Sequence, residues 1–401
     1  MLRELALIML FSAALDATAA LADAKQDCEK LRGDAAIQAC DQALREPPPE
    51  ADAYKNRGNA YLAKGDLDRA IADYTQAVEI DPKYATAYNN RGNAYLAKAD
   101  LDRAIAEYTK AIEINPNYAK AHDNRGIAYI AKGDLDSAIA DATKAIEIDP
   151  KYAQAYYNRG VAYRSKGDLD SAIADATKAI EIDPKYGTAY NSRGNAYAIT
   201  GDFDRAIADY TKAIEIDPDN ALPRRNRSIV YSSKGELDSA IADETKAIEI
   251  DPKDAATYKS RGNAYAAKGD FDRAFADFST AIEINPKDAH PYNARCWLRA
   301  THDHDLPLAL ADCDASVRLD PNNAIILYSR GFVRLRLGRL DEAIADYDAA
   351  LKIKPRLADA LYGRGLCKRK KGDQAGGDVD IAAAREIQAD IAAEYARYGM
   401  N

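Results

Sequence analysis

The sequence predicts an all-α protein, a solenoid of antiparallel helix pairs, and three observations carry that expectation. A proline recurs every 34 residues, at Pro82, Pro116, Pro150, Pro184, Pro218, Pro252 and Pro286. Pro321 falls one residue late, and Pro355 returns to step. Between prolines, aromatic and small residues fall at helical spacing in two runs: Tyr54, Arg57, Gly58 and Tyr61, then Ala70, Tyr74 and Ala77. A Gly65-Asp66 pair divides the runs. A fixed period of this length denotes stacked copies of one small unit, not a single globular core. The length of 401 residues therefore does not imply several globular domains.

The elements follow in chain order. Leu5 to Leu15 is an apolar run followed by Ala20-Leu21-Ala22, so residues 1–22 read as a secretory signal cleaved after Ala22, with Ala24 as second choice. A buried or anchoring N-terminal helix is the other reading. The run is short for a membrane span, and none is expected once the signal is removed. In residues 23–50, Ala36, Ile37, Cys40 and Ala43 lie one period before Ala70, Ile71, Tyr74 and Ala77. That segment is a truncated N-terminal capping repeat. Residues 51–288 hold seven regular units. In most of them a glycine such as Gly65 can take the positive φ that ends a helix and an aspartate such as Asp66 can cap the next, and in each a proline stops it. Residues 289–323 form an atypical unit, 324–391 two further units, and 392–401 a capping tail. The segment from Ile381 to Tyr398 reads as a helix covering the last apolar face.

This pattern resembles the tetratricopeptide repeat (TPR). Its signature is an aromatic, a small residue four later, an aromatic three after that, then Ala, aromatic, Ala and Pro. Tyr54, Gly58, Tyr61, Ala70, Tyr74, Ala77 and Pro82 fill those places, and the resemblance runs from residue 51 to 391. One departure is systematic: an Arg stands where the family carries Leu before the small residue. The resemblance implies a right-handed superhelix whose first helices line a concave face, and a role in protein–protein interaction.

The cysteines point to export. Cys40 occupies the aromatic slot of the truncated unit's second helix, and Cys28 lies where its first helix belongs. Cys313 occupies the same aromatic slot in the eighth unit, and Cys296 the small-residue slot. Bridges Cys28–Cys40 and Cys296–Cys313 would each join the two helices of one atypical unit; buried free thiols are the alternative. Cys367 is left over as a buried thiol. Export and bridges together suggest a periplasmic or secreted protein.

The recurrent polar residues divide into two sets. Arg57, Arg91, Arg125, Arg159, Arg193, Arg227, Arg261, Arg295, Arg330 and Arg364 share one phase, and an acidic residue such as Asp73 or Asp141 recurs on every second helix. Matched phases predict a structural ion-pair ladder. On the first helices, Asn56, Asn90, Asn124, Asn158 and Asn226 share one slot, and Asn59, Asn93 and Asn195 another. A carboxamide both donates and accepts, so a ladder of them can hold the backbone of an extended peptide. The slot around Asn56 is similar to that of the peptide-binding repeats of O-linked N-acetylglucosamine transferase; a merely polar inner surface is the alternative. Lys55, Asn59, Asn90 and Lys120 match the carboxylate clamp of chaperone-binding TPR domains, but Asn124 stands where that clamp needs Arg.

No catalytic constellation, metal site or cofactor is expected. His302-Asp303-His304-Asp305 reads as a polar loop. A net charge of −9 argues against nucleic acid as partner. Arg330, Arg334, Arg336, Arg339, Arg364 and Lys368 to Lys371 make the C-terminal end basic, either as a solvated face or as a docking patch. The function expected is a non-enzymatic scaffold binding a protein or peptide of unknown identity. The alternatives are an envelope polysaccharide-handling accessory and a structural spacer.

Overall fold

The computed structural model describes residues 23–45, 50–303 and 305–400. The signal segment expected at 1–22 lies outside them, as does His304. The chain divides into two compact units, one running to Arg205 and one from Ala206. In the first, α1 (residues 23–30) and α2 (Gly33–Ala43) form the truncated repeat. Then come α3 (Ala51–Ala63) and α4 (Leu67–Ile80), α5 (Ala85–Ala97) and α6 (Leu101–Ile114), and α7 (Ala119–Lys132) and α8 (Leu135–Ile148). The unit closes with α9 (Ala153–Lys166), α10 (Leu169–Ile182) and α11 (Gly187–Ile199). The division falls within α12 (Phe203–Ile216). The second unit continues with α13 (Ala221–Ser233), α14 (Leu237–Ile250), α15 (Ala255–Ala267) and α16 (Phe271–Ile284). After these come α17 (Ala289–Leu298), α18 (Leu306–Leu319), α19 (Ala324–Arg336), α20 (Leu340–Ile353), α21 (Ala358–Lys370), α22 (Gln374–Ile387) and α23 (Ile391–Arg397).

Local chemistry sets these boundaries. Gly65 has φ 77°, and the Asp66 carboxylate accepts from the Arg69 amide at 3.2 Å, so the turn and the cap are adjacent residues. Asp100, Asp134, Asp168, Asp270 and Asp373 cap their helices in the same way. Before each proline the chain leaves the helix, as at Asp81 (φ −124°, ψ 93°), because the ring of the next residue excludes the helical region.

Within a repeat the two helices pack through small residues. Ala70, Tyr74 and Ala77 are fully buried, and a Cβ on Gly58 would lie 2.7 Å from the Tyr74 ring. Ala142 and Ala176 replace that ring in the third and fourth repeats. There a Cβ on Gly126 or Gly160 would meet the facing helix backbone at 3.3 Å. Within each unit second helices also pack on the first helix of the next repeat, as α4 on α5 and α14 on α15, and in the first unit successive first helices touch: α3 with α5, α5 with α7, α7 with α9, and α9 with α11. The core is thus spread along each stack, as expected for units that cannot bury their apolar faces alone.

The expected arginine ladder is present and reaches further than its phase suggested. Arg125 Nε and Nη2 form a bidentate pair with Asp141 (2.7 and 2.8 Å), while Nη1 donates to Thr109 Oγ1 of the preceding repeat at 2.9 Å. Arg159 bridges Asp175 and Thr143 alike, and Arg261 bridges Asp277 and Thr245. One guanidinium therefore ties three helices in two repeats.

The late proline has a local cause. Arg295 and Asp312 are 17 residues apart where the other pairs are 16, yet their bidentate contact is kept at 2.9 and 2.6 Å. A π-helical turn at Arg299–Asp303, continuing α17, absorbs the added residue. Both bridges are present: Cys28–Cys40 joins α1 to α2 with Cα atoms 4.6 Å apart, and Cys296–Cys313 joins α17 to α18 at 5.4 Å. Cys367 is buried and free, and burial pushes its thiol up to about 12.

Two expectations need correction at the C-terminal end. The helix that Ile381 begins in sequence is split, since α22 ends at Ile387 and α23 starts at Ile391. Nor does α23 cover the outer face of α22, where Val379 stays 68% exposed. It turns back instead against first helices: the Tyr398 ring lies 5.7 Å from Trp297 of α17 and 5.5 Å from Phe332 of α19. The basic residues are largely neutralised within the fold. Asp346 takes both Arg330 and Arg334, Asp380 takes Arg364 and Lys368, and Arg339 pairs with Glu342. That pairing favours the solvated face over the docking patch.

Candidate functional site

The first-helix face of the first unit carries most of the predicted asparagines, and the structure links them to one another. Tyr74 Oη donates to Asn59 Oδ1 at 2.8 Å, and Asn90 Nδ2 donates to the same oxygen at 2.9 Å. Asn89 Nδ2 in turn donates to Asn90 Oδ1 (3.2 Å), and Asn124 Nδ2 to Asn89 Oδ1 (3.0 Å). This relay runs from α3 across α5 to α7. Further on, Asn158 Nδ2 donates to Asp123 (2.9 Å), and Gln154 Nε2 to Asn158 Oδ1 (3.2 Å). Asn93 stands beside the relay and accepts from Tyr108 Oη at 2.8 Å. Asn195 on α11 and Asn226 on α13 have partners of their own.

The slots therefore do two things. Asn158 is buried and spends its amide on repeat-to-repeat contact. Asn59 is exposed, and its oxygen is saturated while its two Nδ2 hydrogens have no partner among the described residues. Asn93 likewise keeps its Nδ2 hydrogens. Asn56 makes no hydrogen bond among the described residues. It lines two clefts with Cys28 and Glu29: one of about 520 Å³ shared with Lys25, Asp52 and Lys55, the other of about 480 Å³ shared with Arg32 and Asn59.

The electrostatics of this face are mixed. Burial pushes the Asp123 carboxyl up, against the hydrogen bonds from Asn158 and Tyr152. Asp52 is held low, first by the Tyr84 hydroxyl and, after the opposing effect of burial, by Lys55. Lys55 is thus engaged with Asp52 at 3.1 Å, which leaves the clamp-like set of Lys55, Asn59, Asn90 and Lys120 without a free cation at its first position. Of the His-Asp run, His302 stacks on Phe271 at 3.6 Å and Asp305 caps α18 by accepting from the Leu308 amide. Among the described residues, no group of three His, Cys, Asp or Glu side chains could hold a metal ion, and no helix is long and apolar enough to cross a membrane.

Sequence reasoning missed Asn89, Asp123 and Gln154, which join the slots to each other. Asn89 and Asp123 precede the Asn slot by one residue, where Lys55, Tyr157 and Arg225 stand in other repeats, so no period marks them. It also missed Glu244, which fills the aromatic slot of α14 and is fully buried. Its Oε1 lies 3.1 Å from Ser228 Oγ and 2.5 Å from Ser260 Oγ. Ser228 has one proton and already donates to the Arg225 carbonyl at 2.8 Å. Its single proton is thus shared between that carbonyl and Glu244 Oε1. Burial pushes the Glu244 carboxyl up to about 7, against the hydrogen bonds from Ser260 and Ser228.

Comparison with known proteins places the fold. A profile described as TPR repeat matches residues 58–99, 128–164, 230–269 and 333–372. Two profiles described as tetratricopeptide repeat match 85–118, 153–186, 188–220 and 255–288, and 107–140. No curated protein matches the chain. Among solved structures, a tetratricopeptide repeat protein from Parabacteroides merdae is 20% identical over 62% of this chain and 98% of its own, with a TM-score of 0.48. MamA is 32% identical over 40% of this chain and 94% of its own, with a TM-score of 0.37. YrrB, titled a TPR protein with an unusual peptide-binding site, is 26% identical over 49% and 97%, with a TM-score of 0.38. The three profiles together follow the helix pairs from residue 58 to 288 with short gaps and match again at 333–372, so this chain belongs to the tetratricopeptide repeat family.

Proposed function

We propose that the protein is a non-enzymatic scaffold that holds an extended segment of a partner protein along the first-helix face of its first unit. One observation carries the reading: Asn59 and Asn93 have their oxygens tied to the fold while their Nδ2 hydrogens are left for a ligand. Donors fixed by an internal bond are preorganised, so little rotamer freedom is lost when a peptide carbonyl accepts from them. Asn56, beside the two clefts, would extend the row. The relay through Asn90, Asn124 and Asn158 is the support for these donors and holds the first helices in register. The setting we infer is extracytoplasmic, exported by residues 1–22 as a periplasmic or secreted protein, which fits two disulfide bridges.

The test separates donation from support. Asn59→Asp and Asn93→Asp keep the oxygen that accepts from tyrosine and remove the free donors. Capture of peptides from an array should fall at least tenfold with the thermal midpoint little changed. Undiminished capture would sink the reading. Capture of glycans in place of peptides would favour a polysaccharide-handling accessory, and capture of neither a structural spacer.

A further inference from the structure

The last repeats use the same face in a different chemistry. In α5 the buried positions are Ala87, Asn89, Gly92 and Ala94, and the rest of the helix presents polar and tyrosyl groups. In α19 the buried set is Ile326, Leu327, Tyr328, Phe332 and Val333 among others, and in α21 it includes Leu361, Tyr362 and Leu366. The side of those first helices that carries Tyr328, Phe332 and Tyr362 is covered by residues 391–398. Ile391 and Tyr395 of α23 are fully buried, and Tyr398 is half-buried beside them. The Tyr395 ring lies 4.6 Å from Tyr362 and 5.9 Å from Phe332, and its hydroxyl donates to the Asp359 carbonyl at 2.8 Å. Tyr398 reaches Trp297 and Phe332 edge-on.

We propose that the first-helix face of repeats eight to ten is a groove for a short helix carrying an aliphatic residue and two aromatics at positions i, i+4 and i+7, and that residues 391–400 are its resident, displaceable occupant. Three observations support displacement. The anchors Ile391, Tyr395 and Tyr398 all lie on one side of α23, which is how a helix docks into a groove. The connector is short, with Ala389 and Asp390 exposed. Few polar contacts hold the segment to the rest of the chain: Tyr395 to the Asp359 carbonyl, a hydrogen bond between the Tyr395 and Tyr328 hydroxyls, and Gln388 Nε2 at the end of α22 donating to Glu394 at 2.9 Å. A terminal cap would instead cover Val379, which it leaves bare. The partner inferred is a protein presenting such a helix, and the inference does not rest on the asparagine reading, since it concerns the other compact unit.

The experiment uses the folded full chain with a protease site inserted between Gln388 and Ala389, cut after purification. Trp297 is the chain's one tryptophan and lies against Tyr398, so its fluorescence reports whether the groove is filled. A labelled peptide with the sequence of residues 389–400 should exchange with the cut segment saturably. A peptide with Tyr395→Ala and Tyr398→Ala should bind at least tenfold more weakly, and helical circular dichroism should persist while the groove is empty. Failure of the cut segment to exchange, or loss of helicity on its release, would show a permanent part of the core and overturn the proposal. As a second measurement on the uncut chain, Tyr398→Ala should let the added labelled peptide bind; if it admits no peptide, the proposal fails as well.

Discussion

At the scale of single residues, Glu244 is where sequence and environment conflict most. An acid replaces the ring that Tyr74, Tyr108 and Phe278 supply in other repeats, and its neighbours are Ser228 in the slot of Gly58 and Ser260 in the slot of Asn56. The charged groups that reach it are Arg261 of α15 and Asp277 of α16, which pair with each other and act on it with opposite sign. Its carboxyl titrates near 7 in the fold and near 4.5 when unfolded, so the folded state holds the extra proton between those values. Stability is therefore greatest below about pH 4.5 as far as this group is concerned, falls as pH rises toward 7, and levels above it. Glu244→Gln should remove that slope and stabilise the sixth repeat at pH 8 by on the order of 3 kcal/mol. Amide exchange in α14 at pH 5 and pH 8 checks it; an unchanged pH slope in the variant would refute the assignment. Gly363 is a second case. It interrupts the Asn slot because a Cβ there would lie 2.4 Å from the Tyr347 ring of the preceding repeat. Gly363→Ala should destabilise the last repeat by about 1 to 3 kcal/mol, read by denaturant unfolding.

At the scale of helices, most of the design is written in short-range chemistry and was legible. Glycine, aspartate and proline fix where most helices start and stop because each acts within a turn of the chain. The cysteine pairs were legible because each falls on facing slots of one unit. The relay through Asn89 and Asp123 was not, because those partners occupy a position that varies from repeat to repeat. The direction of α23 was not legible either: Ile391, Tyr395 and Tyr398 announce a buried side, but nothing local says which surface buries it. The eighth repeat shows how a bridge and a backbone irregularity go together. Its π-helical turn continues the end of α17, and Cys296–Cys313, 17 residues apart, joins the same pair of helices. Replacing both cysteines by serine should lower local stability by roughly 3 kcal/mol. Because a repeat array need not unfold in one step, amide exchange in α17 and α18 is the proper readout. Protection equal to that of the native chain would contradict it.

At the scale of the whole molecule, the arginine ladder was predicted from phase alone, and its reach into the preceding repeat was not. The residue that accepts Nη1 follows the second-helix aromatic slot by one, a threonine for Arg91 to Arg261 but Asp41, Ser279, Asp314 and Asp348 for Arg57, Arg295, Arg330 and Arg364, and reads as an ordinary helix-surface position. Removing one guanidinium leaves a buried carboxylate uncompensated, so Arg159→Ala should cost about 3 to 5 kcal/mol through Asp175. Replacing Arg159 and Asp175 together by leucine should cost far less. Equal losses in the single and double variants, measured by amide exchange in α9 and α10, would show that the pair is not the source of the penalty.

The rungs of that ladder are defined by relative position alone. Arg125 looks 16 residues forward to Asp141 and 16 back to Thr109; Arg159 does the same with Asp175 and Thr143. Cutting out or duplicating 34 residues anywhere in the regular stretch would return an arginine to the same three helices with the same partner types. As far as the ladder is concerned, the length of the array is therefore free to drift by unequal recombination of its gene, one rung at a time, without a rung having to be invented anew.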